Sequence, residues 1–356
     1  MISLVSDLND VIGDAEADIA LFRDARLYVT GGTGFIGTWF LASIVHANAR
    51  LGTSIRVDIL TRDPDGFARR SPAIAHAAGI TLIRGDVRRS APGGSYDAVV
   101  NAATPASAAL NEQHPAEMID TIVAGQQATL AVAARSGAIP FLFTSSGAIY
   151  GPQPVDLTHI PEDYGGGPDP LQPRSAYHEG KRLAELLGAI AVAEGGPSVR
   201  VGRLFAFVGP YLPIGTHFAV GNLLRDALAD GPIVITGDGA AVRSYLYAAD
   251  MTTWLWGILA RGSPGRAYNV GSEHAVSISE LAGAVSRASG PDRHIEVRGR
   301  ADPLRPVDRY VPSTARAREE LGLRERTSLD EALRRTLHWH RSSVGRFEAV
   351  GGTDDE

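Results

Sequence analysis

This sequence predicts a doubly wound parallel α/β fold with a smaller C-terminal α/β lobe, and two observations carry that prediction. Short apolar runs recur at 27–30, 56–61, 81–84, 98–101, 141–145 and 198–203, separated by helical, alanine-rich segments. Strands that alternate with helices build a parallel sheet covered on both faces. The second observation is length. At 356 residues the chain exceeds the usual size of one hydrophobic core, and its 44% hydrophobic content is enough to fill two.

Taken in order, residues 1–25 are mixed acidic and apolar and form a helical extension ahead of the first strand. The main domain is expected over 26–203, with a return segment at about 237–264. The second lobe is expected over 204–236 and 265–342, and a disordered tail over 343–356. Segment 152–173 holds six prolines and the triplet Gly165-Gly166-Gly167, which reads as a long loop beside a site.

The first strand runs into Gly31-Gly32-Thr33-Gly34-Phe35-Ile36-Gly37 and then an apolar helix. Glycines at 32, 34 and 37 between a strand and a helix satisfy the dinucleotide fingerprint of a Rossmann-type fold. They allow a tight turn and close approach of backbone to a pyrophosphate, and the helix amino end offers N–H groups to it.

Tyr177 and Lys181 lie four residues apart, on one face of a helix. A free tyrosine keeps its proton until a pH of about 10, and a cation held beside it favours the phenolate. The pair is therefore a candidate proton-transfer couple. Ser146 sits at the end of the fifth strand, where a hydroxyl can bond a reacting oxygen.

Composition excludes several classes. The net charge of −6 argues against a nucleic-acid binder. With no cysteine there is no disulfide or thiolate metal site, and the ten histidines show no metal-ligand spacing. No run approaches the roughly 20 apolar residues of a membrane span, and the amino terminus lacks a basic segment, so a soluble cytoplasmic protein is expected.

Ordered motifs extend the reading: Gly85-Asp86-Val87, Asn101-Ala102-Ala103, Thr144 to Gly151, the Tyr/Lys pair, Arg203 to Pro210, Arg243 to Tyr247, Tyr268-Asn269-Val270-Gly271 and Arg305-Pro306-Val307-Asp308. With the glycine loop, this set resembles the extended short-chain dehydrogenase/reductases, in the branch of epimerases and dehydratases that modifies nucleotide sugars. The resemblance spans about residues 26–340. It implies an enzyme with Ser146, Tyr177 and Lys181 as catalytic residues. It also implies an NAD(P) site at Gly31, Gly34, Phe35, Ile36, Gly37, Arg62, Asp86, Val87, Ala102 and Ala103, with Tyr177 and Lys181 adding to it. Asn222, Arg243 and Arg305, with Ser146, would hold a nucleotide-diphosphate sugar. Arg203 also stands where the family places an arginine, and a homodimer is expected.

Cofactor choice turns on the end of the second strand, where an acid suits a ribose and an arginine a 2′-phosphate. Thr61 and Arg62 stand there, which favours NADP over NAD; Asp58 comes too early and Asp63 slightly late.

The departures from the family narrow the reaction. Sugar 4,6-dehydratases carry an Asp–Glu pair after the catalytic Ser/Thr, and glucuronate decarboxylases place a Glu two residues after it. Here those positions are Gly147 and Ala148, which move no proton. Ala206 and Ile122 replace family asparagines. An epimerase acting through a transient 4-keto sugar needs only Tyr, Lys, Ser and nicotinamide, and so does an NADPH-dependent 4-keto-sugar reductase. An atypical dehydratase or decarboxylase and a non-catalytic dinucleotide sensor are the remaining alternatives.

Overall fold

The computed structural model describes residues 4–348 apart from 105–107, 138, 216–217, 230, 291–292, 303 and 305. Six strands, β1 (Arg26–Thr30), β2 (Arg56–Thr61), β3 (Ile80–Arg84), β4 (Ala98–Asn101), β5 (Pro140–Ser146) and β6 (Ser198–Leu204), match the runs expected from sequence to within a residue. A seventh, Ala267–Val270, joins the same parallel sheet beside β6. Across the sheet the order is Ala267–Val270, β6, β5, β4, β1, β2, β3.

Alternation along each strand feeds two cores. Leu27, Val29 and Leu142 enter one, while Tyr28, Val99, Phe141 and Phe143 enter the other. Both faces are thus apolar, as a sheet sandwiched between helices requires. Strand order reverses between β1 and β4. In open α/β sheets the crevice at such a switch point, beyond the strands' carboxyl ends, is where ligands bind.

Two boundaries differ from the sequence reading. Residues 267–270 belong to the main sheet rather than to the second lobe, because Tyr268 and Val270 are fully buried against it. The last helix, Leu329–Glu348, runs past the expected start of the tail at 343; no proline interrupts it, and Gly345 is carried within it. Residues 349–356 lie outside the described part.

The amino-terminal helix Leu4–Asp14 buries Leu8, Val11 and Ile12 in the first core. It is also tied in by charge. Buried Asp7 accepts from the Tyr247 hydroxyl at 2.7 Å and pairs with Arg335, while Asp18 pairs with Arg261 at 2.6 Å. The extension is thereby anchored to helices Ala248–Arg261 and Leu329–Glu348 of its own chain.

Short strands build the other side of the crevice. Val242–Arg243 lies between Val276–Ser277 and Arg309–Tyr310, and Ile233–Ile235 pairs with Ile295–Val297. No helix among the described residues is long and apolar enough to cross a membrane.

Candidate active site

Backbone alone shapes the first part of the site. Gly31 has φ +71°, and a Cβ there would run into the backbone of Ala102, at the end of β4. A Cβ on Gly37 would strike Gly31 and Gly32. Both switch-point strands therefore meet at a turn that only glycine permits. Gly34 caps helix Phe35–Leu51 without any side-chain bond, so the first-turn N–H groups are left for a ligand. This cradle fits the pyrophosphate of a dinucleotide.

Acids near the adenosine end are largely committed. Asp58 accepts from Tyr96 at 2.9 Å and pairs with Arg26 at 2.6 Å. Asp63 caps helix Pro64–Arg70 through the Gly66 N–H at 2.9 Å. Arg62 is exposed. Arg88 grips Asp86 with several donors, which holds its carboxyl down at about 2.

Proton-transfer groups come from β5 and helix Ala176–Ala193. Alternation puts Thr144 and Ser146 on one face of β5 and turns Ser145 to the other, where its hydroxyl is buried without a partner among the described residues. The structure brings Ser146 and Tyr177 together: burial pushes the Tyr177 phenol up, and the Ser146 hydroxyl opposes that rise. Lys181 is 2% exposed and donates to the Thr144 carbonyl at 2.6 Å, with its ammonium 4.8 Å from the Phe143 ring. Burial pulls it down to about 7, against the pull of Glu185.

Close helix packing sets that geometry. A Cβ on Gly180 would meet the Ile122 Cδ1 at 3.1 Å, so the glycine lets helix Pro115–Ala134 lie against the helix bearing Tyr177. Ile122 is itself 2% exposed and serves as packing. Beneath them, Asn101 accepts from Thr30 at 2.6 Å and donates to Gln126 at 2.7 Å, which fixes the ends of β1 and β4.

On the facing side, Arg243 donates to the Asp308 carboxylate at 2.5 Å and to the carbonyls of Val242 and Asp308. Arg203 is committed elsewhere, paired with Glu185 at 2.8 Å and donating to the Tyr150 hydroxyl at 2.8 Å. Asn222 lies partly buried on helix Ala219–Leu228. Arg305 is outside the described residues. Among the described residues no group of His, Asp or Glu could hold a metal.

One residue that the sequence reading passed over stands in the middle of the site. The ring of Tyr310 lies 4.6 Å from that of Phe205, and burial pushes its phenol up while the Ser146 hydroxyl opposes that rise. Its hydroxyl would sit 2.6 Å from a Cβ on Gly147. The missing acid at 147 was the available signal.

Residues 27–271 match the family described as NAD dependent epimerase/dehydratase. UDP-glucuronic acid decarboxylase 2 of Arabidopsis thaliana is 31% identical over 316 residues, 87% of this chain and 67% of the relative. The dTDP-glucose 4,6-dehydratase of Streptomyces antibioticus is 29% identical over 335 residues, 91% of this chain and 95% of the relative. Among solved structures, DesIV, a dTDP-glucose 4,6-dehydratase from Streptomyces venezuelae with NAD and TYD bound, superposes with a TM-score of 0.75 at 26% identity, covering 91% and 99% of the two chains. UDP-glucose 4-epimerase of Thermotoga maritima gives a TM-score of 0.75 at 22% identity, covering 90% and 99%, which speaks for the fold.

Proposed function

Because the chain belongs to the NAD-dependent epimerase/dehydratase family, we propose that it reversibly oxidises a hexose carbon, C4, of a nucleotide-diphosphate sugar, with epimerisation as the outcome. The observation that carries this reading is Ser146 against Tyr177, followed by Gly147 and Ala148 in place of an acid and a base. Elimination of water needs both groups, whereas removal of a hydroxyl proton needs one base and one hydrogen-bonding partner.

Tyr177 takes the C4 hydroxyl proton. Ser146 bonds the oxygen as it becomes a carbonyl, and Lys181 orients the ribose beside it. A nicotinamide dinucleotide, seated on the Gly31–Gly37 turn, supplies hydride acceptance and return. Inversion follows when the keto sugar presents its other face before Tyr177 returns the proton. Arg243 and Asn222, with Arg305, are assigned to the nucleotide diphosphate.

One observation favours a second reading, an NADPH-dependent 4-keto-sugar reductase. Asp58 and Asp63 are both engaged, while Arg62 is exposed just past the end of β2, where an arginine would suit a 2′-phosphate. Helix Ala176–Ala193 also exposes Leu183, Leu186 and Ile190, an apolar stripe that supports a homodimer.

The deciding experiment incubates the purified protein with a panel of nucleotide sugars and either NAD or NADP, and follows the products by mass and NMR. Inversion at C4 without change of mass is the expected result. Loss of water or of carbon dioxide would replace epimerisation with dehydration or decarboxylation. Consumption of NADPH on a 4-keto sugar identifies the reductase, and an unchanged panel leaves a dinucleotide sensor.

A further inference from the structure

The turn after Ser146 meets two aromatic rings. A Cβ at Gly147 would come within 2.6 Å of both the Phe205 Cζ and the Tyr310 hydroxyl, so any side chain there displaces one of them. The two rings lie 4.6 Å apart, tilted by 32°, and neither is fully buried. Tyr150, itself 1% exposed, packs 6.2 Å from Phe205.

Backbone bonds hold this pair in place. Arg309–Tyr310 pairs with Val242–Arg243, and next along the chain the Val311 N–H donates to the Gln153 Oε1 at 3.0 Å. The Val311 carbonyl accepts from the Ile160 N–H at 2.9 Å. The proline-rich segment after Gly151 therefore braces the strand that carries Tyr310. Phe205 donates its own N–H to the Val270 carbonyl at 3.0 Å, at the end of the main sheet.

The cations on the elements that build this corner are committed. Lys181 donates to the Thr144 carbonyl, Arg203 pairs with Glu185 and bonds Tyr150, and Arg182 donates to the carbonyls of Ile149 and Gly166. Arg243 is bonded to Asp308 and assigned to the diphosphate. Arg309 alternates with Tyr310 along its strand and so points to the opposite face. What remains beside Gly147 is aromatic surface, whose faces are electron-rich.

We propose that Phe205 and Tyr310 form an aromatic wall that restricts the substrate to nucleotide sugars with an uncharged substituent on C5, methyl or hydroxymethyl, and rejects hexuronates. The inference rests on the proposed function, which sets the C4 oxygen against Ser146; the turn that follows Ser146 then runs beside the neighbours of C4. Of those neighbours C5 carries the carbon branch, and in a hexuronate that branch is the carboxylate. A methyl or hydroxymethyl group against the wall buries carbon on aromatic carbon. A carboxylate there would give up water and gain no partner.

The test titrates the full-length protein, saturated with dinucleotide, with UDP-glucose and UDP-glucuronic acid and with their dTDP counterparts, by calorimetry. On whichever nucleotide binds, the hexuronate should bind at least about tenfold more weakly than the hexose. Tyr310→Lys places an ammonium at the wall and should close most of that gap. Tyr310→Ala admits water without adding charge and should close part of it; if one variant fails to fold, the other decides. Equal affinities in the parent, or a gap that the variants leave unchanged, overturn the wall and leave the proposed function standing. Binding of neither sugar on either nucleotide overturns the proposed function and this inference with it.

Discussion

The two sides of the site are built by different means. On the sheet side, position is set by backbone: the Gly31–Gly37 turn, the ends of β1, β4 and β5, and one helix lying against another at Gly180. On the facing side, position is set by side chains carried on strands of two residues, Val242–Arg243 and Arg309–Tyr310, with Phe205 packed on Tyr310. Chemistry common to a whole family belongs on the first kind of scaffold, because its geometry tolerates little variation. Choice of substrate belongs on the second, where one side chain can change without moving the sheet.

Removing the base on the sheet side should produce the largest effect. Tyr177→Phe deletes one ionisable oxygen and almost no volume, so fold and dinucleotide affinity should hold. Its kcat/KM for sugar conversion should fall by about 10² to 10⁴. Activity within a few-fold of the parent takes Tyr177 out of the mechanism and makes the sheet side a binding platform only.

A charge reversal probes the facing side. Arg243 and Asp308 form a partly exposed pair, 26% and 63% exposed, and such a pair contributes under about 1 kcal/mol to stability. Arg243→Glu should therefore leave the thermal midpoint near that of the parent. Titration calorimetry should show nucleoside diphosphate binding at least about tenfold weaker, with the dinucleotide unaffected. The reverse pattern, stability lost and diphosphate affinity intact, would assign Arg243 to holding the short strands together.

That contrast also explains what was legible. Fold, strands, glycine turn and the Tyr177/Lys181 spacing follow from local patterns, since short apolar runs, helical spacing and a strand-to-helix glycine turn are written in neighbouring residues; Ser146 was picked out by its place in the family motif before Tyr150. Tyr310 was not legible, because its meeting with Gly147 joins positions 163 residues apart through a strand of two residues. The absence of an acid at 147 was visible, but not what fills its place. Arg203 matched a family position and yet is paired with Glu185, a partner on another element that no motif predicts. Strand Ala267–Val270 was misassigned for the same reason: its pairing with β6 reaches across an intervening segment that carries helices Ala219–Leu228 and Ala248–Arg261.

A pH series separates Lys181 from its surroundings on the sheet side. In the folded protein burial brings its ammonium down to about 7, whereas in an unfolded chain lysine titrates near 10.4. Between those values the unfolded chain binds a proton that the folded chain does not, so folding stability from this group rises with pH over about 7 to 10. Below about 7 the full cost of burying the charge is present. Lys181→Met keeps the stem and removes the titration. Denaturant unfolding at pH 6.5, 8 and 9.5 should show the parent gaining on the variant as pH rises, by up to ~1.4 kcal/mol per unit. The variant loses the bond to the Thr144 carbonyl at every pH, so that loss shifts the whole difference without tilting it. A difference that stays flat from 6.5 to 9.5 means that Lys181 remains an ammonium throughout. The cation would then be present at working pH, and Ser146 would share with it the task of favouring the Tyr177 phenolate.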